Sequence, residues 1–88
     1  MKTGTFDVRN ELGLHARPAS DIAKLVGTHK SAVTIQCGDK VVNAKSMLLI
    51  TTMGAKKGTK VTVTVEGDDE EYVFGQLESM FKDNFGED

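Results

Sequence analysis

The 88-residue chain is poor in several residue types that shape protein architecture: it has one cysteine, one proline and no tryptophan. A single cysteine excludes an internal disulfide and fits a reducing compartment. No apolar run approaches the ~18 residues of a membrane-spanning helix. The first residues, MKTGTFDV, lack the apolar core of a secretory signal. We therefore expect a cytoplasmic protein that does not insert into membranes.

Neither sign of charge dominates the composition. Eleven lysines and arginines stand against thirteen acidic residues, for a formal net charge of −2 at pH 7. This balance does not favour binding to nucleic acids. The length predicts a single domain over residues 1–88, which would bury roughly 60–65% of the surface that the unfolded chain exposes. Because so small a core cannot enclose a deep cleft, we expect the functional site on the surface.

Hydrophobic periodicity predicts four strands and three helices. Alternating apolar residues mark strands around Phe6 and Val8 and over residues 33–37, 40–43 and 61–65. Helical spacing marks residues 16–26, a short helix capped by Ser46 and a last helix capped by Asp68 or Asp69. The order β-α-β-β-α-β-α predicts an α+β fold with all helices on one face of the sheet. The C-terminal DNFGED is polar, and we expect it to fray.

The segment LGLHARPAS places His15 where the N-cap of the first helix is expected, with Pro18 in the first turn. The backbone N–H groups of Ala16 and Arg17 then have no partner within the helix, and the helix start carries a partial positive charge. A neutral imidazole is favoured there, and a neutral imidazole is a nucleophile at pH 7. A phosphoryl group on the ring would meet these N–H groups and charge-assisted hydrogen bonds from Arg17.

Other interpretations of this segment stay open on the residues alone. His15 can be a capping histidine, with Arg17 as a solvated surface charge. Metal binding is disfavoured, because His15, His29 and Cys37 are scattered and a metal site usually gathers three or four ligands. We therefore expect neither a metal nor a cofactor.

Two longer segments resemble those of a known family. GLHARPA is similar to the active-site segment of the HPr family, the histidine-containing phosphocarriers of the bacterial phosphotransferase system. NAKSMLLITTMGAKKGTKV is similar to the serine-site segment of the same family, and His15 and Ser46 lie 31 positions apart. The resemblance covers essentially the whole chain. It implies an open-faced β-sandwich in which three helices cover one face of a four-stranded antiparallel sheet.

The resemblance also implies a function. Enzyme I, phosphorylated from phosphoenolpyruvate, would pass its phosphoryl group to Nδ1 of His15, and His15 would pass it to an enzyme IIA domain of a sugar permease. Arg17 would steady the phosphoryl group in both transfers. Such a protein is a monomeric carrier with a transient phosphohistidine, and it is not an independent catalyst.

In the family, the short helix that follows Ser46 contributes to partner docking. We assign Leu49, Ile50 and Met53 of this helix to the core. The resemblance implies an apolar docking patch beside the histidine with a polar rim, formed by Met47, Leu48, Thr51, Ser20 and Lys24. Ser46 would be a regulatory site for an HPr kinase/phosphorylase, or it would only cap the helix.

Two further functions stay open. The chain can serve a regulatory phosphorelay that imports no sugar, because related carriers do so with the same chemistry. It can instead be a binding module that docks onto a transcription regulator through Ser46, in which case His15 is incidental. Phosphorylation by enzyme I would distinguish the carrier from the binding module.

Overall fold

The computed structural model describes residues 1–87. Its elements follow the predicted order β-α-β-β-α-β-α. The strands are β1 (Lys2–Asp7), β2 (Ala32–Cys37), β3 (Lys40–Asn43) and β4 (Lys60–Glu66). The helices are α1 (Ala16–Gly27), α2 (Met47–Thr52) and α3 (Glu70–Lys82), and a 3₁₀ turn over Asn84–Gly86 follows them. The predicted α+β class is confirmed.

The four strands form one antiparallel sheet in the order β1-β4-β2-β3. The central strand β4 shows why one face is covered: Val61, Val63 and Val65 are fully buried, whereas Thr62 and Thr64 between them are only half-buried. Strict alternation puts the valines on the face that packs against the helices and the threonines on the face open to water.

One hydrophobic cluster lies between the sheet and the helices. Ile22 and Val26 of α1, Ile50 of α2 and Leu77 of α3 are all fully buried in it. Each helix therefore contributes an apolar face to the same core, as the periodicity predicts. This shared core fixes the start of α1, where the candidate site lies, relative to the sheet.

The assignment of Leu49 to the core is wrong. Its side chain is 43% exposed, whereas Ile50 is fully buried and Met53 is 5% exposed. The reason is the narrowness of the buried face of α2. Ile50 and Met53 are three residues apart and point the same way, but consecutive residues of a helix differ by about 100°. Leu49 therefore lies with its neighbour Leu48 on the surface.

The expectation of a frayed C-terminus is wrong for residues 83–87. Phe85 is 7% exposed and meets Phe81 edge-on, with ring centroids 4.9 Å apart. Asn84 and Phe85 have φ values of 50° and 57°, which turn the chain back toward the body of the protein. A left-handed residue without glycine is costly, and burial of the Phe85 ring offsets that cost. Asp88, the last residue of the predicted tail, lies outside the described residues.

Asp69 occupies the N-cap position of α3, one of the two predicted positions, but its side chain makes no capping hydrogen bond within residues 1–87. Its carboxylate instead accepts from the hydroxyl and the N–H of Ser31 and from the N–H of Lys30. These bonds, above all the one from the Ser31 hydroxyl, lower the pKa of Asp69. Asp69 therefore ties the start of α3 to the loop before β2.

Candidate functional site

The loop after β1 leads the chain to the candidate site. β1 ends at Asp7, so Val8, expected in this strand, lies just beyond it, where it is fully buried. The N–H of Val8 donates to the carbonyl of Thr59 at 2.8 Å, and its carbonyl accepts from the N–H of Gly58 at 2.7 Å. Because these bonds tie the loop to the segment before β4, residues 8–14 approach α1 along a fixed path.

Gly13 is the tightest point of this loop. Its φ is +65°, and a Cβ built on it would lie 2.2 Å from the carbonyl oxygen of Ala55 and 2.9 Å from the Cα of Lys56. The next residue, Leu14, donates its N–H to the same Ala55 carbonyl at 2.9 Å. Only glycine accepts both the left-handed backbone and the close approach. This contact positions the residue that follows Leu14, which is His15.

His15 occupies the N-cap position of α1, as predicted, and its carbonyl accepts the N–H of Ala19 at 3.0 Å. Its side chain makes no capping hydrogen bond within the described part of the chain. The ring instead turns to Glu87: Nε2 lies 2.9 Å from Oε2 and 3.1 Å from Oε1 of that carboxylate. The side chain of His15 is 30% exposed. The imidazole is therefore reachable from solvent and is not used as a helix cap.

Glu87 is held in turn by Asn10. The Asn10 amide nitrogen donates to Oε1 of Glu87 at 2.9 Å and to the carbonyl of Gly13 at 2.7 Å, and the residue is 1% exposed. The hydrogen bond from Asn10, followed by that from His15 and aided by the nearby charge of Arg17, lowers the pKa of the Glu87 carboxyl. A carboxyl with a lowered pKa is ionised at neutral pH.

Glu87 and Asn10 are the two residues of this site that sequence reasoning missed. Glu87 lies 72 positions from His15 and sits in a segment whose composition is polar. A single acidic residue carries no pattern that periodicity can detect. The one available signal was Phe85, because a large apolar residue two positions earlier indicates that the segment packs against the body of the protein.

The start of α1 is suited to an anion. The helix begins at Ala16, so the N–H groups of Ala16 and Arg17 have no acceptor within it. Pro18 is buried and has no N–H to leave unpaired. Both Ala16 and Arg17 are exposed, so neither side chain covers the helix end. An anion bonded to the His15 ring can approach these N–H groups and the Arg17 guanidinium.

Ser46 caps α2 as predicted. Its hydroxyl oxygen accepts from the N–H of Leu49 at 3.1 Å, and its carbonyl accepts from the N–H of Ile50 at 3.1 Å. The side chain of Ser46 is half-buried. The capping role is therefore a property of the structure, whereas the regulatory role stays a prediction.

The exposed apolar residues of α2 form a patch, which we call the α2 patch. It comprises Met47, Leu48 and Leu49, whose exposed fractions are 43%, 70% and 43%. Thr51, expected beside them, is half-buried and satisfies its hydroxyl on the carbonyl of Leu48 at 2.7 Å. The patch thus contains the predicted Met47 and Leu48 and adds Leu49.

The predicted rim residues lie on the neighbouring helix. α1 packs against α2, and it carries Ser20, which is half-buried, and Lys24, which is exposed. The loop before His15 carries another exposed apolar side chain, Leu12, which is 73% exposed. Sequence reasoning did not single out Leu12, because an isolated leucine in a loop fits no periodic pattern.

His29 and Cys37, which the sequence analysis judged too scattered to bind a metal, lie in other surroundings. His29 lies with Nδ1 2.8 Å from the carbonyl of Leu25 and its ring 5.2 Å from that of Tyr72, and Cys37 is half-buried on β2. Among residues 1–87 no three His, Cys, Asp or Glu side chains come together as a metal-binding group. In the same part of the chain, every helix is too short or too polar to cross a bilayer.

Comparison with known proteins decides the family. The family model described as "PTS HPr component phosphorylation site" matches residues 2–83. The phosphocarrier protein HPr of Lysinibacillus sphaericus is 38% identical over 80 residues, which cover 91% of each chain. The chain belongs to the HPr family. A solved structure of HPr from Thermoanaerobacter tengcongensis superposes with a TM-score of 0.94 at 36% identity, covering 100% of this chain and 99% of the other.

HPr membership makes the chain a phosphocarrier of the phosphotransferase-system type, and it confirms the resemblance and the open-faced β-sandwich. A second HPr structure from Thermoanaerobacter tengcongensis, described as a dimer, superposes with a TM-score of 0.77 at 37% identity and covers 99% of this chain and 100% of the other. That dimer is a property of the other protein. The monomeric state of this HPr-family chain stays a prediction.

We expect Gly13→Ala to destabilise the protein more than Gly38→Ala. Gly38 has a similar φ of +61° but open space around its Cβ position. Gly38→Ala should therefore show only the left-handed cost of about 1–2 kcal/mol. Gly13→Ala adds the clash with Ala55, and we expect a total loss of about 2–4 kcal/mol. Urea unfolding of both variants measures the difference, and equal losses would show that the close approach at Gly13 is not limiting.

Proposed function

We propose that the chain carries a phosphoryl group on Nδ1 of His15, which it accepts from phosphorylated enzyme I and passes to enzyme IIA domains of sugar permeases. One observation supports this above others. The His15 ring stands half-exposed at the start of α1 and does not cap that helix. An accessible imidazole in a chain of the HPr family fits the role of a phosphoryl acceptor. The same membership leads us to place the carrier in the cytoplasm.

The proposed chemistry needs little beyond the helix start. The ring nitrogen supplies the nucleophile, and the phosphoryl oxygens meet the N–H groups of Ala16 and Arg17. The Arg17 guanidinium adds hydrogen bonds in a fork that matches phosphate oxygens. These groups hold the phosphoryl oxygens and leave the N–P bond open to the next acceptor. The chain acts as a carrier and not as an independent catalyst.

The docking surface that we propose is the α2 patch, with Thr51, Ser20 and Lys24 at its rim. A small apolar patch bordered by polar side chains is typical of transient interfaces. A carrier must leave each partner quickly, so a small interface serves it better than a large one. The exposed Lys24 adds positive charge where an acidic partner would approach.

Ser46 is the proposed site of regulation by an HPr kinase/phosphorylase. It directly precedes the α2 patch, and its hydroxyl caps α2. A phosphate at this position would suit the helix N-terminus and leave α2 intact. It would also place negative charge at the edge of the docking surface. Inhibition would then come from repulsion of an acidic partner and not from unfolding.

We expect His15→Ala to abolish phosphoryl acceptance. The chain is incubated with enzyme I and phosphoenolpyruvate, and acid-labile phosphate is counted. The matched control is His29→Ala, which removes the other histidine and should leave acceptance near normal. The fold should persist in His15→Ala, because the His15 side chain makes no capping hydrogen bond to α1. Near-normal acceptance by His15→Ala would refute the assignment.

We expect Arg17→Lys to slow phosphoryl transfer more than it weakens binding to enzyme I. An ammonium is a point charge and does not reproduce the guanidinium fork. Transfer is measured at saturating enzyme I, and affinity is measured separately. The control Arg9→Lys makes the same exchange at an arginine that bonds the carbonyl of Lys82. Normal transfer at saturation with weakened affinity would move Arg17 from the chemistry to docking.

We expect Ser46→Asp to slow phosphorylation of His15 several-fold, with thermal stability equal or higher. Ser46→Asn is the control, because asparagine has nearly the same shape and caps a helix equally well without the charge. Only the aspartate adds repulsion, worth on the order of 1 kcal/mol at an exposed rim. The slowing should shrink as salt rises, because exposed charges are screened. Equal rates for both variants would place Ser46 outside the interface with enzyme I.

A further inference from the structure

Glu87, the acidic partner of His15, is not among the groups that would hold the phosphoryl group in the proposed carrier function. Glu87 contacts Nε2 of the ring, whereas the proposed chemistry takes place on Nδ1. We infer that Glu87 is a positioning residue for phosphoryl transfer, an inference that rests on the proposed function. Its carboxylate holds the ring proton on Nε2, so that Nδ1 presents a lone pair. It also offsets the positive charge that the ring gains when Nδ1 bonds phosphorus.

The hydrogen-bond geometry selects the tautomer. An ionised carboxylate only accepts hydrogen bonds, and both of its oxygens lie within 3.1 Å of Nε2. Nε2 must therefore be the protonated nitrogen of the pair. In the neutral ring the other nitrogen, Nδ1, then carries the lone pair and is the nucleophile.

The carboxylate is fixed by the fold and not by the chance position of a free tail. Phe85 is buried against Phe81, and the N–H of Glu87 donates to the carbonyl of Asn84 at 2.9 Å. Asn10 holds the other side of the Glu87 carboxylate. The side chain of Glu87 is 17% exposed, so water competes little for its oxygens. A histidine ring oriented by such a partner keeps one tautomer and one direction.

The transfer step balances with this pair in place. The bond between phosphorus and the donor breaks, and its electron pair stays with the donor. The lone pair of Nδ1 forms the new N–P bond, and Nε2 keeps its proton. The ring thereby gains one positive charge, which faces the negative charge of Glu87 across 2.9 Å. In the onward transfer the N–P bond breaks, its electron pair returns to Nδ1, and the ring becomes neutral again.

Glu87→Gln tests the inference, because the neighbouring Asn10 dictates how the new amide must point. The Asn10 amide donates to the position of Oε1, so the glutamine oxygen takes that position. The glutamine nitrogen then lies where Oε2 was, 2.9 Å from Nε2 of His15, and donates to it. The glutamine oxygen stays 3.1 Å from Nε2, but the amide nitrogen has the shorter contact of 2.9 Å, and its hydrogen opposes a proton on Nε2. We therefore expect the ring proton to move to Nδ1, where it blocks the nucleophile. Glu87→Ala removes the partner without imposing the wrong tautomer.

We expect two results from the full-length protein. Two-bond ¹H–¹⁵N spectra of the neutral His15 ring should show the proton on Nε2 in the parent and on Nδ1 in Glu87→Gln. The rate of phosphoryl acceptance from enzyme I should fall in the order parent, Glu87→Ala, Glu87→Gln, with the last slower by on the order of tenfold or more. Glu66→Gln removes one negative charge at the far end of β4 and should leave both readouts unchanged.

The outcomes separate this inference from the proposed function. A parent ring protonated on Nδ1 would overturn the role of Glu87, and so would an unchanged tautomer in Glu87→Gln with an unchanged rate. Equal slowing in the alanine and glutamine variants, together with a lowered melting temperature in both, would reduce Glu87 to a structural contact. The spectra need no phosphoryl donor, so they stand whatever His15→Ala shows. Full acceptance by His15→Ala would refute the carrier chemistry instead.

Discussion

The close approach of Gly13 to the backbone at Ala55 is the constraint on which the site depends. Leu14 donates to the Ala55 carbonyl, and Gly13 lies too near that carbonyl to carry a side chain. The contact joins the loop before α1 to the loop before β4. Without it, the first helix would still pack through Ile22 and Val26, but the residue directly before His15 would lose its anchor on the loop before β4. The position of the His15 ring thus depends on a backbone contact two residues earlier.

Three kinds of charge meet at the start of α1 and must balance. The helix end is partly positive, Arg17 is fully positive, and Glu87 is negative with a lowered pKa. The helix end and Arg17 favour a dianion bonded to the ring. The Glu87 carboxylate, on the Nε2 side, favours a positive charge on the ring itself. A phosphoryl group on the imidazole would satisfy both, because the phosphohistidine is negative at its oxygens and positive at its ring. The charge of Arg17 also acts on Glu87, where it helps to lower the pKa of the carboxyl.

The parts of the structure that could be predicted are those governed by local patterns. The alternating valines of β4 and the serine cap of α2 act within a few residues, and the pattern predicted both correctly. Leu49 was misassigned because a six-residue helix buries so narrow a face that composition alone does not locate its edge. Glu87 was missed for a different reason: its contact with His15 spans 72 positions and depends on the left-handed turn at Asn84 and Phe85.

The site is open, which suits a carrier that must receive a phosphoryl group from one protein and release it to another. A deep pocket would hold a phosphoryl group firmly and would fit one partner. Here the His15 side chain is 30% exposed, Arg17 is exposed, and the α2 patch lies on the neighbouring helix. Hydrogen bonds that compete with water stabilise only modestly, so a phosphoryl group on His15 would leave as readily as it arrives. The buried contacts of Asn10 and Glu87 lie behind the ring, where they can order it without adding to the hold on phosphorus. Rigidity behind the imidazole and exposure in front of it together would allow one histidine to serve a donor and an acceptor in turn, as the proposed function requires.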